Sequence, residues 1–259
     1  MPRRELLAKI GGCLLVVALI ANRILQLPGW PGYVREVRGL HSWFDGLPGA
    51  APALDLEARY TAFGYARSQV VTLWSLQLSL WILETGLLLG YALVWVTRPA
   101  ATSAARGFRE TVFPLLLVLL PFGIVTRPYT YPRWIPENAS LHLGGLYAIN
   151  LLLILAGVLN IVGLAALRKS FAVMAEARVL VLGGPYRWVR HPMYLAHFLI
   201  FLCVLLQRFA PLTLGLYMAF VAGQILRARI EERKLAETFP EYGEYRRTTG
   251  MFFPKLRRA

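Results

Sequence analysis

Residues 183–235 decide the fold, and they read GGPYRWVRHPMYLAHFLIFLCVLLQRFAPLTLGLYMAFVAGQILRARIEERKL. Two apolar runs in this stretch, 193–206 and 212–226, are separated by a break at residues 208–211. Two helices joined by so short a connection must be antiparallel neighbours. The stretch therefore predicts a helical hairpin whose two polar ends lie together.

The whole chain has the composition of a membrane protein. Of its 259 residues 57% are hydrophobic and 16% are charged, and the mean hydropathy is +0.51. Soluble domains carry charge on about a quarter of their residues. Four further apolar runs lie at 10–20, 70–96, 115–125 and 143–167. Since runs of about 18 or more such residues predict transmembrane helices, we expect an all-α polytopic membrane helix bundle of about six transmembrane helices. Five is the alternative, because several runs are short.

The first apolar run follows Arg3 and Arg4, as the hydrophobic part of a signal peptide would. No small-residue cleavage site follows it, and Asn22, Arg23 and Gln26 interrupt its end. We therefore expect an uncleaved first membrane helix.

The basic residues predict the orientation of the helices. The formal net charge is +14, and with a cytoplasmic N-terminus 20 of the 28 Lys and Arg residues fall in cytoplasmic segments against seven in external loops. This asymmetry follows the positive-inside rule and favours anionic lipid headgroups over nucleic acid as partners. We expect a multi-pass protein with both termini cytoplasmic, in which residues 1–166 form about four membrane helices with their loops and residues 167–259 form the core that carries the chemistry.

A cationic helix start lies at the first polar end of the hairpin. Gly-Gly-Pro at 183–185 indicates a turn, and Pro192 suits the first position of a helix, where its missing N–H costs nothing. A helix N-terminus, here capped by His191, attracts anions. Arg190 adds a planar guanidinium that suits a carboxylate or a phosphate.

An acidic pair lies at the second polar end. Antiparallel packing puts His191 near the level of residue 228, and Glu231 then lies about 5 Å further along the axis at ~1.5 Å per residue. Arg227 and Glu231 are four residues apart and can pair on one helix face. The cationic helix start and the pair Glu231-Glu232 are therefore expected to meet.

This convergence suits a ligand that carries both charges, such as S-adenosylmethionine with its carboxylate, ammonium, sulfonium and ribose hydroxyls. Arg190 would take the carboxylate, Glu231 or Glu232 would take the ammonium or a ribose hydroxyl, and Tyr186 and Tyr194 would pack on the adenine or the sulfonium. A structural interpretation also fits at this point, because Arg, His and Tyr anchor proteins at membrane interfaces.

Three segments of the C-terminal third carry a resemblance to a known family. They are GPYRWVRHPMY at 184–194, EERKL at 231–235 and FPEYGEY at 239–245. In order and spacing they resemble the isoprenylcysteine carboxyl methyltransferase family. Phospholipid methyltransferases have the same core. The resemblance covers about residues 167–254. It implies an integral membrane methyltransferase that binds S-adenosylmethionine in a cytoplasmic pocket over the last hairpin.

The resemblance also implies roles for individual residues. Arg190 and Glu231 correspond to catalytic positions, no metal is implied, and Tyr242, Tyr245 and Arg246 belong to a closing C-terminal segment. The predicted cofactor-binding residues are Tyr186, Arg190, His191, Tyr194, Arg227, Glu231 and Glu232.

The sequence departs from the family pattern at Ala196, at Pro240 and in the ending at 250–254. These departures leave the acceptor open: it is lipid-like or small, and presents a carboxylate, an amine or a thiol. A carboxylate needs no base, whereas an amine or thiol must lose a proton, for which His191 or a glutamate of the pair is the candidate.

Two other functional classes stay open. A membrane reductase of the sterol-reductase type has a related core but binds a nicotinamide cofactor. A transporter or non-catalytic membrane protein would carry charges along several helices, whereas here they cluster at the predicted cytoplasmic face. Separately, Glu84 is an intramembrane carboxylate, which is either a functional residue or a neutral glutamic acid bonded to a neighbouring helix. Cys13 and Cys203 lie in apolar runs and imply neither a disulfide nor a metal site.

Overall fold

The computed structural model describes residues 67–97, 101–125, 139–167, 170, 176–177 and 179–255. Within these ranges the fold is helical and contains no β-strand, which confirms the predicted all-α class. The helices are α1 (Arg67–Thr97), α2 (Gly107–Val125), α3 (Ala139–Leu167), α4 (Pro192–Gln207), α5 (Pro211–Thr238) and α6 (Tyr242–Thr248), with a 3₁₀ turn at Gly184–Arg187.

Each apolar run predicted after residue 67 falls within a helix, but six membrane spans are not confirmed. Two described segments, Gly144–Leu167 and Pro211–Thr238, are long and apolar enough to cross a membrane. Leu78–Val94 and Pro192–Gln207 are apolar but shorter. The predicted first membrane helix at 10–20 lies outside the described residues.

The helices that precede the hairpin fix the start of α4. Helix α1 packs on α3, and α3 packs on α4. Val94, Leu164 and Met193 form a buried cluster that joins these three helices. A Cβ atom added at Gly163 would lie 2.7 Å from Cγ of Met193, so only glycine allows this approach of α3 to the first turn of α4.

Helices α4 and α5 form the predicted antiparallel hairpin. The turn is held by Thr213, whose hydroxyl accepts from the Ala210 amide at 2.8 Å and lies 2.7 Å from the Arg208 carbonyl. Further along, the Tyr217 hydroxyl donates to the Phe198 carbonyl at 3.2 Å. Helix α5 also packs along α2, so α2 and α4 together position its polar end.

The chain after α6 returns to the start of α4 as a C-terminal strap, residues 249–253. Val189 and Gly250 form a parallel bridge, and the amides of Arg190 and His191 donate to the carbonyls of Gly250 and Met251 at 2.8 and 3.0 Å. A Cβ atom at Gly250 would overlap the carbonyl oxygen of Phe253. The strap therefore covers the segment that immediately precedes α4.

Candidate functional site

The first buried network is centred on Glu232. The Arg190 Nε donates to Oε1 of Glu232 at 2.7 Å, and Nε2 of His191 lies 3.1 Å from the same oxygen. The other oxygen, Oε2, lies 3.6 Å from Nε of Arg246. The side chains of Arg190 and Glu232 are 8% and 4% exposed. Because charges this deeply buried are costly unless paired, these groups hold one another in place.

The second network is centred on the neighbouring Glu231. Its Oε1 accepts from the Tyr194 hydroxyl at 2.5 Å and from Nε of Arg227 at 3.0 Å. The Arg227 guanidinium also lies 5.3 Å from the centre of the Tyr194 ring, within the range of a cation–π contact. One carboxylate thus joins the first turn of α4 to α5.

The two networks lie side by side because their carboxylates are adjacent in the chain. The hairpin brings both to the segment 190–194, as its geometry predicted. The rings of His191 and Tyr194 are stacked, with centroids 5.2 Å apart and planes inclined by 7°. Six of the seven predicted cofactor-binding residues therefore form one continuous cluster of contacts, which we call the inner cluster: Arg190, His191, Tyr194, Arg227, Glu231 and Glu232.

Tyr186, the seventh, lies buried in the 3₁₀ turn beside the inner cluster. Its carbonyl accepts from the Tyr245 hydroxyl at 2.5 Å. Burial, and next the negative charge on Glu231, raise the pKa of the Tyr186 phenol above its usual value. Burial also raises the pKa of Tyr245 to about 12. Both phenols are thus protonated donors at neutral pH.

The strap and the end of α6 contribute individual contacts that the sequence did not predict. Arg190 donates from Nη1 to the Arg246 carbonyl at 3.2 Å and also to the Thr249 carbonyl. The Phe252 ring lies 5.9 Å from that of His191. These contacts join residues about 60 positions apart. The resemblance implied a closing C-terminal segment but not these contacts, and the glycine at position 250 is compatible with many backbone conformations.

Lys234 was also absent from the predicted site. It is buried, forms an ion pair with Glu110 of α2 and donates to the Ala104 carbonyl at 2.6 Å. It therefore anchors the polar end of α5 to α2, whereas Glu231 is bonded to Tyr194 of α4. Glu84, the other carboxylate singled out in the sequence, lies at an exposed position of α1.

A cavity of about 500 Å³ opens on the opposite, outer side of α5. Four of its lining side chains are charged residues of α5, and one comes from α6. Glu232 belongs both to this lining and to the inner cluster. We call the cavity the outer groove, and its lining is Arg229, Glu232, Arg233, Ala236, Glu237 and Arg246.

A comparison with protein families points to the same part of the chain, and two curated proteins are similar over about 80 residues. Residues 148–237 match the isoprenylcysteine carboxyl methyltransferase family. Over 78 residues the chain is 40% identical to a cobalt-zinc-cadmium resistance protein of Cupriavidus metallidurans, covering 30% of this chain and 36% of that protein. Over 79 residues it is 35% identical to a nickel-cobalt-cadmium resistance protein of Alcaligenes xylosoxydans xylosoxydans, covering 30% of this chain and 37% of that protein.

The matched region spans a little over a third of the length of these curated relatives. The predicted resemblance to the isoprenylcysteine carboxyl methyltransferase family is confirmed by this match, which includes α4 and almost all of α5. The match begins at residue 148, earlier than the predicted 167, and ends at residue 237, so the segment FPEYGEY at 239–245 lies outside it. Residues 148–237 are therefore similar to the isoprenylcysteine carboxyl methyltransferase family, and two described helical segments are long and apolar enough to cross a membrane.

Proposed function

We propose that the protein is an integral membrane methyltransferase that uses S-adenosylmethionine to methylate a lipid-like or small acceptor at the cytoplasmic membrane face. One observation carries this proposal. Glu231 and Glu232, adjacent in the chain, are each fixed by a different residue of the segment 190–194, and both lie within the family match.

The side chains of the inner cluster suit the chemistry of this cofactor. Two carboxylates can accept from its ammonium and its ribose hydroxyls, and Arg190 can donate to its carboxylate. The parallel rings of His191 and Tyr194 offer a flat surface to adenine or sulfonium. The proposed cofactor-binding residues therefore remain Tyr186, Arg190, His191, Tyr194, Arg227, Glu231 and Glu232.

When bound, S-adenosylmethionine supplies a methyl group activated by a positively charged sulfur. The protein's task is then alignment of the acceptor for in-line displacement, and fixed geometry supplies much of the rate enhancement of such reactions. Paired charges and short hydrogen bonds hold the inner cluster rigid before any ligand arrives. This preorganisation is what an alignment mechanism requires.

Arg190 and Glu231 are the two residues that we propose to touch the reacting groups. For a carboxylate acceptor, Arg190 would exchange its 3.2 Å bond to the Arg246 carbonyl for a bond to the substrate. For an amine or thiol, Glu231 would take the proton. Both partners of Glu231 bind Oε1, and no hydrogen bond from the described residues engages Oε2, which is therefore able to accept that proton.

Calorimetric titration of S-adenosylmethionine into the detergent-purified chain tests the proposal. We expect saturable binding that falls tenfold or more in Glu231→Gln and Arg190→Ala, since a hydrogen bond to a charged group contributes about 1.5–3 kcal/mol. The matched control is Glu244→Gln, which removes an exposed carboxylate of α6 that pairs with Arg247 outside the inner cluster, and it should bind as the wild type does.

Absence of binding to well-folded wild-type protein would refute the proposal. The same sample titrated with a reduced nicotinamide cofactor then decides for or against the reductase alternative. If S-adenosylmethionine binds, transfer of its labelled methyl group to carboxylate, amine and thiol acceptors identifies the acceptor class.

A further inference from the structure

The outer groove has a net positive charge, because three arginines line it against the two carboxylates Glu232 and Glu237. Arg229 and Arg233 are exposed and line the groove, yet neither forms an ion pair among the described residues. They are four residues apart on one helix face, where like charges repel. Arg246 of α6 adds a third guanidinium, whose nearest carboxylate, Glu232, already accepts from Arg190.

These arginines continue an exposed apolar face of α5. Met218 and Leu226 are 58% and 51% exposed, and the series 218, 222, 226, 229, 233 advances by three or four residues at each step, so it follows one side of the helix. From Met218 to Arg229 the axial distance is about 16 Å at 1.5 Å per residue. One side of α5 therefore changes from apolar to cationic along its length.

The outer groove is separate from the inner cluster. Arg229 and Arg233 each lie two residues from Glu231, which is about 200° around the helix at 3.6 residues per turn. Glu231 contacts α4, whereas the two arginines face away from it. Only Glu232 belongs to both, through its 3.6 Å approach to Arg246.

We propose that this side of α5 binds an anionic phospholipid. The phosphate lies in the outer groove on Arg229, Arg233 and Arg246, and an acyl chain lies along Leu226 and Met218. Guanidinium groups donate two parallel hydrogen bonds to phosphate oxygens, and the apolar side of α5 supplies the contact that a soluble phosphate lacks. The site does not depend on the proposed methyl transfer.

Native mass spectrometry of the full chain in neutral detergent, titrated with dioleoylphosphatidylglycerol, tests this site. Each basic residue at a membrane surface contributes about a fivefold change in affinity for anionic lipid, so the double variant Arg229→Gln/Arg233→Gln should bind about 25-fold more weakly. The control Arg247→Gln removes one positive charge from α6 outside the outer groove and should change affinity less than twofold, whereas the single variant Arg233→Gln should weaken binding about fivefold. Thermal unfolding in lipid-free detergent checks that all variants are folded.

The acyl-chain contact is tested separately. Met218→Ala should weaken dioleoylphosphatidylglycerol binding severalfold and leave the weaker binding of glycerol 3-phosphate unchanged. Equal losses in Arg247→Gln and in Arg233→Gln would overturn the proposal, because the effect would then be one of net charge. It would also be overturned if the groove variant kept wild-type affinity, or if glycerol 3-phosphate bound as tightly as the lipid.

Discussion

The two sides of the last turns of α5 contain the same kinds of charged residues, but they differ in whether these charges are buried and paired. On the inner side Arg227 is buried and bonded to Glu231. On the outer side Arg229 and Arg233 are exposed and have no carboxylate partner in the described part of the chain. Rotation about the helix axis, and not composition, decides which charges become a fixed network.

The inner charges are interdependent, and the outer ones are not. A buried ion pair that loses one member leaves an uncompensated charge, whereas an exposed charge loses little when its neighbour is removed. Mutations that remove equal charge on the two sides should therefore have unequal effects on the free energy of unfolding.

The largest difference is expected for the glutamates. Glu232→Ala leaves the buried Arg190 without its carboxylate, and loss of one member of a buried pair costs about 3–5 kcal/mol. Glu237→Ala, on the exposed outer side, should change the free energy of unfolding by about 0.5 kcal/mol or less. Equilibrium unfolding in mixed micelles of neutral detergent and sodium dodecyl sulfate measures both, and equal destabilisation would contradict the distinction between the two sides.

A smaller effect is expected for Tyr194→Phe, which keeps the ring stacked on His191 but removes the 2.5 Å bond to Glu231. Loss of a hydrogen bond to a charged group costs about 1.5–3 kcal/mol. Affinity for S-adenosylmethionine should also fall about tenfold, because Glu231 loses one of the two groups that orient it. Tyr217→Phe, which removes a hydroxyl bond on the same hairpin at a distance from the inner cluster, should leave cofactor affinity unchanged.

The sequence was sufficient to predict the hairpin and the contact between its two polar ends. The break at 208–211 requires antiparallel neighbours, and helical rise then fixes which residues share a level. It did not show that Arg190 and His191 bind Glu232 while Tyr194 binds Glu231, because adjacent residues differ by about 100° of rotation that only the packed helices determine.

Contacts across long stretches of chain were not predictable from local patterns. Lys234 was not among the predicted site residues, yet α2 buries it against Glu110. The strap contacts of Arg190 likewise depend on α6 turning the chain back. Neither contact leaves a periodic signal, since periodicity reports which side of a helix is apolar and not its partner.

Removal of the link between α6 and the 3₁₀ turn should have a still smaller, pH-dependent effect. Tyr245→Phe loses the bond to the Tyr186 carbonyl, at a cost of about 1 kcal/mol. Since burial raises the pKa of Tyr245 from 10 to about 12, the folded state favours the protonated phenol. The stability that this shift contributes is complete below pH 10 and is lost as the pH rises towards 12. The free energy of unfolding, measured as a function of pH, should therefore fall less for the variant than for the wild type between pH 10 and 12. If the two free energies fell in parallel, this phenol would not titrate as proposed.

The smallest effect is expected on the outer side, and there its sign should depend on lipid. In lipid-free neutral detergent, Arg233→Gln relieves the repulsion from Arg229 and should stabilise the fold by about 0.2–0.5 kcal/mol. With dioleoylphosphatidylglycerol present, the wild type gains binding energy that the variant lacks, because a ligand stabilises the state that binds it, so the variant becomes the less stable of the two. Melting temperatures measured with and without the lipid test this reversal. Arg227→Gln should show no such reversal. It breaks the bond to Glu231 and should destabilise the protein both with and without the lipid.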